Sequence, residues 1–152
     1  MGYTHYHSFQ RDFGQGEWYA IMEDCKRIFK LCEFLEIDLR EDFYKDKQPI
    51  IGFNYIQFNG YMEQGCESFF IHRYRCNNRS FCKTNREPYD MAVGLCLLRI
   101  KAIAPEVITI SSDGCWDAED EWVPIRRVYE GFFNEKPLDT SLGMTWTWDS
   151  MS

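Results

Sequence analysis

The chain has 152 residues, 45% hydrophobic and 27% charged, which is one domain's worth of sequence with enough apolar content for a single core. Its 17% aromatic content argues against a disordered acidic chain. Lys and Arg number 17 against 24 Asp and Glu, and the resulting net charge of −7 argues against a whole-surface grip on nucleic acid or an anionic membrane.

No apolar run approaches the ~20 residues of a spanning helix. Residues 1–7 lack a basic stretch followed by an apolar one, so no secretory signal is expected. The seven Cys are an odd count with no C-x-x-C pair, which predicts free thiols in a reducing compartment.

Residues 2–10 alternate as a strand, with Tyr3, His5 and His7 on one face and Thr4, Tyr6 and Ser8 on the other. Gly14-Gln15-Gly16 ends it. Trp18, Ile21, Met22, Cys25, Ile28, Phe29, Cys32 and Leu35 then recur at helical spacing, which predicts an amphipathic helix over 17–37 with Cys25 and Cys32 in the core. A charged loop over 40–47 precedes a strand over 53–59. Asn59-Gly60 reads as the turn of a hairpin whose second strand is 66–72.

Residues 73–83 read as a loop. Thr84-Asn85-Arg86-Glu87 has the form of a capping box, with Pro88 suited to a first helical turn. The following helix, 91–104, is apolar on nearly all sides and stopped by Pro105, so it belongs in the centre of the core; Gly94 in its middle implies a close approach. A strand over 106–111, a turn at Ser112-Asp113-Gly114 and an acidic segment lead to a third helix over 121–133, with Pro124 in its first turn. The expectation is an α+β fold: a small, mostly antiparallel sheet with two to three helices on one face, in the order β-α-β-β-α-β-α, over 1–134. Residues 135–152 read as a tail containing Trp146 and Trp148, either an anchor for a partner or a cover for apolar surface.

Candidate chemistry is scattered. His5 and His7, two apart on a strand, point the same way, but no third ligand is fixed by spacing, so no metal or cofactor is assigned. His72, Cys76 and Cys82 are too irregularly spaced for a zinc knuckle, and Cys82 shows no local sign of thiolate activation. Arg73, Arg75, Arg79, Lys83 and Arg86 crowd the segment before the central helix. Lys83 and Arg86 beside a helix N-terminus suit a small anion, whereas the plainer reading is a solvated loop paired with Glu87 or Asp90. Asp113 at a strand end suits acid–base work or a plain turn.

Met1-Gly2-Tyr3-Thr4-His5-Tyr6, Phe58-Asn59-Gly60, Glu67-Ser68-Phe69, Phe81-Cys82-Lys83-Thr84-Asn85-Arg86, Pro88-Tyr89-Asp90 and Ile110-Ser111-Ser112-Asp113-Gly114 occur in this order. Together they resemble a family of small uncharacterised proteins of bacteriophages, bacteria and large DNA viruses, over about residues 1–130. Two departures stand out: Glu87 replaces the family's Lys, and the Trp-rich tail looks like an addition. The resemblance implies a viral or mobile-element context and groups His5, Asn59, Glu67, Lys83, Thr84, Arg86, Asp90 and Asp113 as one polar cluster. The expected function is that of a viral accessory protein in the host cytoplasm or nucleus, binding a host or viral protein through surfaces that include Trp146 and Trp148. The alternative is a hydrolase or transferase acting on a phosphorylated small molecule or nucleotide. There His5 would be the acid or base, Glu67 or Asp113 the carboxylate, and Lys83 with Arg86 the clamp, assisted by Asn59, Thr84 and Asp90. A buried hydrogen-bonded network that fixes the fold would use the same residue types.

Overall fold

The computed structural model describes residues 2–75, 79–139 and 141–143. Alternation along β1 (Thr4–Phe9) organises one half of it: His5, His7 and Phe9 are buried, while Tyr6 and Ser8 turn to the other side. β1 is the middle strand of an antiparallel sheet ordered β6 (Ser80–Lys83), β1, β7 (Ile108–Ser112), and His5 lies opposite both Cys82 and Ser112. A second antiparallel sheet is built on β4 (Tyr55–Gly60). β2 (Leu39–Arg40), β3 (Ile50–Ile51) and β5 (Phe69–His72) each pair with it, β3 and β5 on opposite sides of Ile56 and Gln57.

The helices follow from their apolar stripes. In α1 (Gln15–Phe34) the Gly14 N–H donates to the Glu17 carboxylate at 2.8 Å, satisfying a free amide at the helix start. Its buried stripe is Trp18, Ile21, Met22, Cys25, Ile28 and Cys32. α2 (Asp90–Ile103) packs against α1, α3 (Trp122–Phe133) and β7, which is why it is apolar on nearly every side. At its end the Lys101 ammonium donates to the carbonyls of Pro105 and Ile108, each at 2.7 Å, and so positions the start of β7. The chain is thus the α+β fold its patterning predicts.

Several local expectations are corrected. β4 and β5 do pair, but Asn59-Gly60 is not their turn. Both residues lie within β4, and 61–68 make the connection through a short 3-10 helix, Met62–Gln64. The stretch 73–83 is not all loop: its last four residues form β6. Thr84–Glu87 do not cap α2, whose N-cap is Tyr89 and whose first residue is Asp90; Asn85 and Arg86 take left-handed φ values of 55° and 63° in a turn before it. β2 and β3 are additional strands. Beyond α3, Leu142 bridges Ile110 in parallel and the Gly143 N–H donates to the Ile110 carbonyl at 2.7 Å, so the start of the tail lies along the free edge of β7.

The close approach expected at Gly94 is with α3. A Cβ there would stand 2.6 Å from Ile125 Cδ1 and 2.9 Å from its Cγ2. Gly94→Ala is therefore predicted to destabilise by ~1–2 kcal/mol in urea unfolding, although Ala favours an isolated helix by ~1 kcal/mol. Ile125→Val in the same chain should recover part of the loss. A stabilised Gly94→Ala single variant would contradict this packing.

Candidate functional site

The predicted polar residues divide into an interior network and three separate fastenings. In the interior, His5 Nε2 lies 2.6 Å from Asp90 Oδ1 and His5 Nδ1 lies 2.7 Å from Ser112 Oγ. The Thr84 hydroxyl donates to the same Asp90 oxygen at 2.6 Å. Ser112 Oγ in turn accepts the indole N–H of Trp122 at 3.0 Å and the backbone N–H of Gly114 at 2.9 Å. The His5 ring also stands edge-on to Tyr3 and Trp122, each with a centroid separation of 5.1 Å.

Counting protons fixes the arrangement. A serine hydroxyl has one donor and two lone pairs. Both lone pairs of Ser112 are taken by N–H donors, so its proton goes to His5 Nδ1. His5 must then carry its own proton on Nε2, where Asp90 accepts it. Serine, histidine and aspartate thus stand in a row that resembles a nucleophile, base and carboxylate. The serine oxygen has no free lone pair, however, and His5 is only 1% exposed. A substrate would have to displace one of these partners before reaching either group. What the arrangement does directly is tie β1, β7, the start of α2 and the start of α3 together.

The other expected residues are fastened elsewhere. Asn59 is buried: its amide N–H groups donate to the Cys66 carbonyl and Ser68 hydroxyl, and its oxygen accepts the Gly60 and Cys66 N–H groups, which closes the 61–68 connection. Glu67 accepts the Lys83 N–H at 2.7 Å, and the Tyr89 hydroxyl donates to the Glu67 carbonyl at 2.6 Å, which joins β6 to the second sheet. The Lys83 side chain is exposed and lies over Gly2. Arg86 does not join it in an anion clamp. Its guanidinium stacks on Tyr3 at 4.1 Å and pairs with Glu121 at 2.8 Å. Asp113 accepts the Thr4 N–H at 3.0 Å on the side of the sheet away from His5. His5, Thr84 and Asp90 are therefore brought together, while Asn59, Glu67, Lys83, Arg86 and Asp113 each serve another contact. Trp146 and Trp148 lie outside the described residues. Ser112 and Trp122, which complete the network, were not among the expected site residues.

Other reactive groups are quiet. Cys25 and Cys96 touch across α1 and α2 at 3.8 Å, and burial pushes the thiols of Cys32, Cys82 and Cys96 upward, so none of these three is a thiolate nucleophile at neutral pH.

An open polar surface lies on the outer face of the β6–β1–β7 sheet. A groove of about 610 Å³ is lined there by Tyr6, Ser8, Arg79, Thr109, Ser111 and Asp113, with Gly143 at its margin. Arg79 is held in place: its Cζ lies 4.4 Å from the Tyr6 ring centroid and its Nη2 donates to Ser111 Oγ at 3.0 Å. Phe81, opposite Tyr6 in the register, is 61% exposed. The alternation of residues 2–10 had placed Tyr6 on this face, but nothing local distinguished Arg79 from the other basic residues of its segment.

Comparison with family models, curated proteins and solved structures finds no match to this chain. Among the described residues no helix is long and apolar enough to cross a membrane.

Two predictions follow from the interior. Ser112→Ala leaves two buried N–H donors and one ring nitrogen without partners, at a cost on the order of 3 kcal/mol in urea unfolding. A loss below ~1 kcal/mol would mean that the hydroxyl is not the hub. His7 is buried beside Phe9 and Phe69, and desolvation, with a smaller contribution from His72, lowers its pKa from 6.5 to about 4. The unfolded chain binds this proton first as pH falls, so the contribution is intact above pH 6.5 and is lost on descent to about pH 4. The loss is ~3 kcal/mol over that window. Stability of His7→Phe should fall less steeply with acidification; an identical slope in both chains would refute the assignment.

Proposed function

We propose that the protein acts by binding another protein, and that it does so through the outer face of the β6–β1–β7 sheet. The observation that carries this reading is the exposed Phe81 beside the Tyr6–Arg79 stack at the edge of an open groove. Aromatic and arginine side chains dominate the energetics of protein interfaces. The hydrolase or transferase reading is the weaker one, because His5 has both nitrogens engaged and Lys83 and Arg86 do not converge. The resemblance to proteins of bacteriophages and large DNA viruses supports a host or viral protein as the partner, met in the host cytoplasm or nucleus. Trp146 and Trp148 follow Gly143 at the groove margin by only a few residues, which supports their inclusion in the same contact.

The test is quantitative binding. The full chain is immobilised, a captured protein is identified and purified, and its affinity is measured by titration. Arg79→Glu and Phe81→Ser should each weaken it by about tenfold or more, equivalent to ~1.4 kcal/mol, with unchanged circular dichroism. Phe34→Ser, at the exposed end of α1, should leave it unchanged. A partner held equally well by the Arg79 and Phe81 variants would remove this face from the function.

A further inference from the structure

Two charged side chains of the outer face are held in position without an ion pair among the described residues. Seven of the ten arginines have a carboxylate within ion-pair distance, and Arg73, Arg75 and Arg79 have none among the described residues. Arg79 has none among the described residues, although the Tyr6 ring and Ser111 hydroxyl fix its position. Asp113, which lines the same groove, has a backbone N–H and the Tyr6 hydroxyl as partners but no cation among the described residues. A held guanidinium and a held carboxylate therefore face one groove without meeting. Arg79 reaches β7 at Ser111, and Asp113 lies two residues further along the chain. The two charges are thus served by positions ~7 Å apart along an extended backbone.

Resting on the protein-binding reading above, we infer that the partner presents an extended segment with an acidic and a basic side chain two residues apart on one face. In an extended chain, side chains at positions i and i+2 point the same way and repeat at this spacing. The acidic group pairs with Arg79 and the basic one with Asp113, while the hydroxyls of Ser8 and Thr109 line the floor. Guanidinium and carboxylate groups that are already positioned give up less freedom on pairing than mobile surface charges do.

The probe is the heptapeptide acetyl-Thr-Thr-Glu-Thr-Lys-Thr-Thr-amide, titrated into the full chain while the amide NMR shifts of Tyr6, Ser111 and Asp113 are followed. The control, acetyl-Thr-Thr-Glu-Lys-Thr-Thr-Thr-amide, has the same charges on opposite faces. The expected result is localised shifts with the first peptide and about tenfold weaker binding of the second. Arg79→Gln and Asp113→Asn, the latter retaining an acceptor for the Thr4 N–H, should each weaken the first peptide by a similar factor. Equal binding of the two peptides, insensitivity to both variants, or shifts that track protein concentration without peptide would overturn the inference, the last in favour of a second copy of this chain. If the peptides fail while Phe81→Ser still releases the captured partner, the charge pattern is wrong and the binding face stands. If Phe81→Ser has no effect either, both are wrong.

Discussion

The interior turns on one hydroxyl group. Ser112 Oγ takes N–H donors from Trp122 and Gly114 and gives its proton to His5, and His5 passes the dependence on to Asp90. Each link needs the one before it, because a histidine with the wrong tautomer would set a donor against a donor at one end of the ring. Desolvation makes this demanding: a buried polar atom without a partner costs more than a matched pair contributes. The same constraint explains the unusual start of α2. Asp90 stands in the first turn, where a carboxylate favours the helix dipole, yet its side chain faces inward to His5 and Thr84 rather than capping the helix.

The neighbourhood is closed by shape as well as by hydrogen bonds. A Cβ at Gly114 would collide with Tyr3 Oη, so the turn after β7 requires glycine for close approach. The Tyr3 ring then lies between His5 and Arg86, and Arg86 reaches Glu121 at the start of α3. Among the described residues Tyr3 Oη is buried without a hydrogen-bond partner of good geometry, although Ser112 lies close to it. The His5 ring is thereby enclosed with both nitrogens engaged, whereas the Asp90 side chain is 16% exposed and its hydrogen bonds to His5 and Thr84 both fall on Oδ1.

The elements visible in the sequence were those long enough to show a period. α1, β1 and β7 have it, α2 is legible instead as a long apolar run stopped by Pro105, and its Gly94 is legible because an apolar helix tolerates glycine where another helix comes close. β2 and β3 have two residues each, too few for any period. β6 was hidden by its basic surroundings, since Arg79 and Lys83 suggest a solvated loop. The four residues Thr84–Glu87 match a capping box, but the left-handed turn at Asn85 and Arg86 has no strong local signal and moves the helix start to Asp90. Ser112 carries no charge to mark it beside the more conspicuous Asp113. The period of β7 carried the correction: Ile108, Ile110 and Ser112 share the inward face, so the serine, not the aspartate, belongs beside His5.

Arg79 and Arg86 show why residue type and local spacing do not separate a fastener from a contact. They lie seven residues apart in one basic segment, and each guanidinium is stacked on a tyrosine of the N-terminal segment. Stacking orients both, so orientation does not distinguish them. Their difference is electrostatic and comes from distant parts of the chain. Glu121 neutralises Arg86, whereas β7 offers Arg79 only the hydroxyl of Ser111. An arginine that is oriented and ion-paired has its strongest interaction already made inside the fold. One that is oriented and has no carboxylate among the described residues, as Arg79, has that interaction still to make. In a chain with a formal charge of −7, carboxylates are abundant, so their absence around Arg79 among the described residues reflects its place on the sheet rather than a shortage of acids. That asymmetry is what supports the proposed binding role of the outer face.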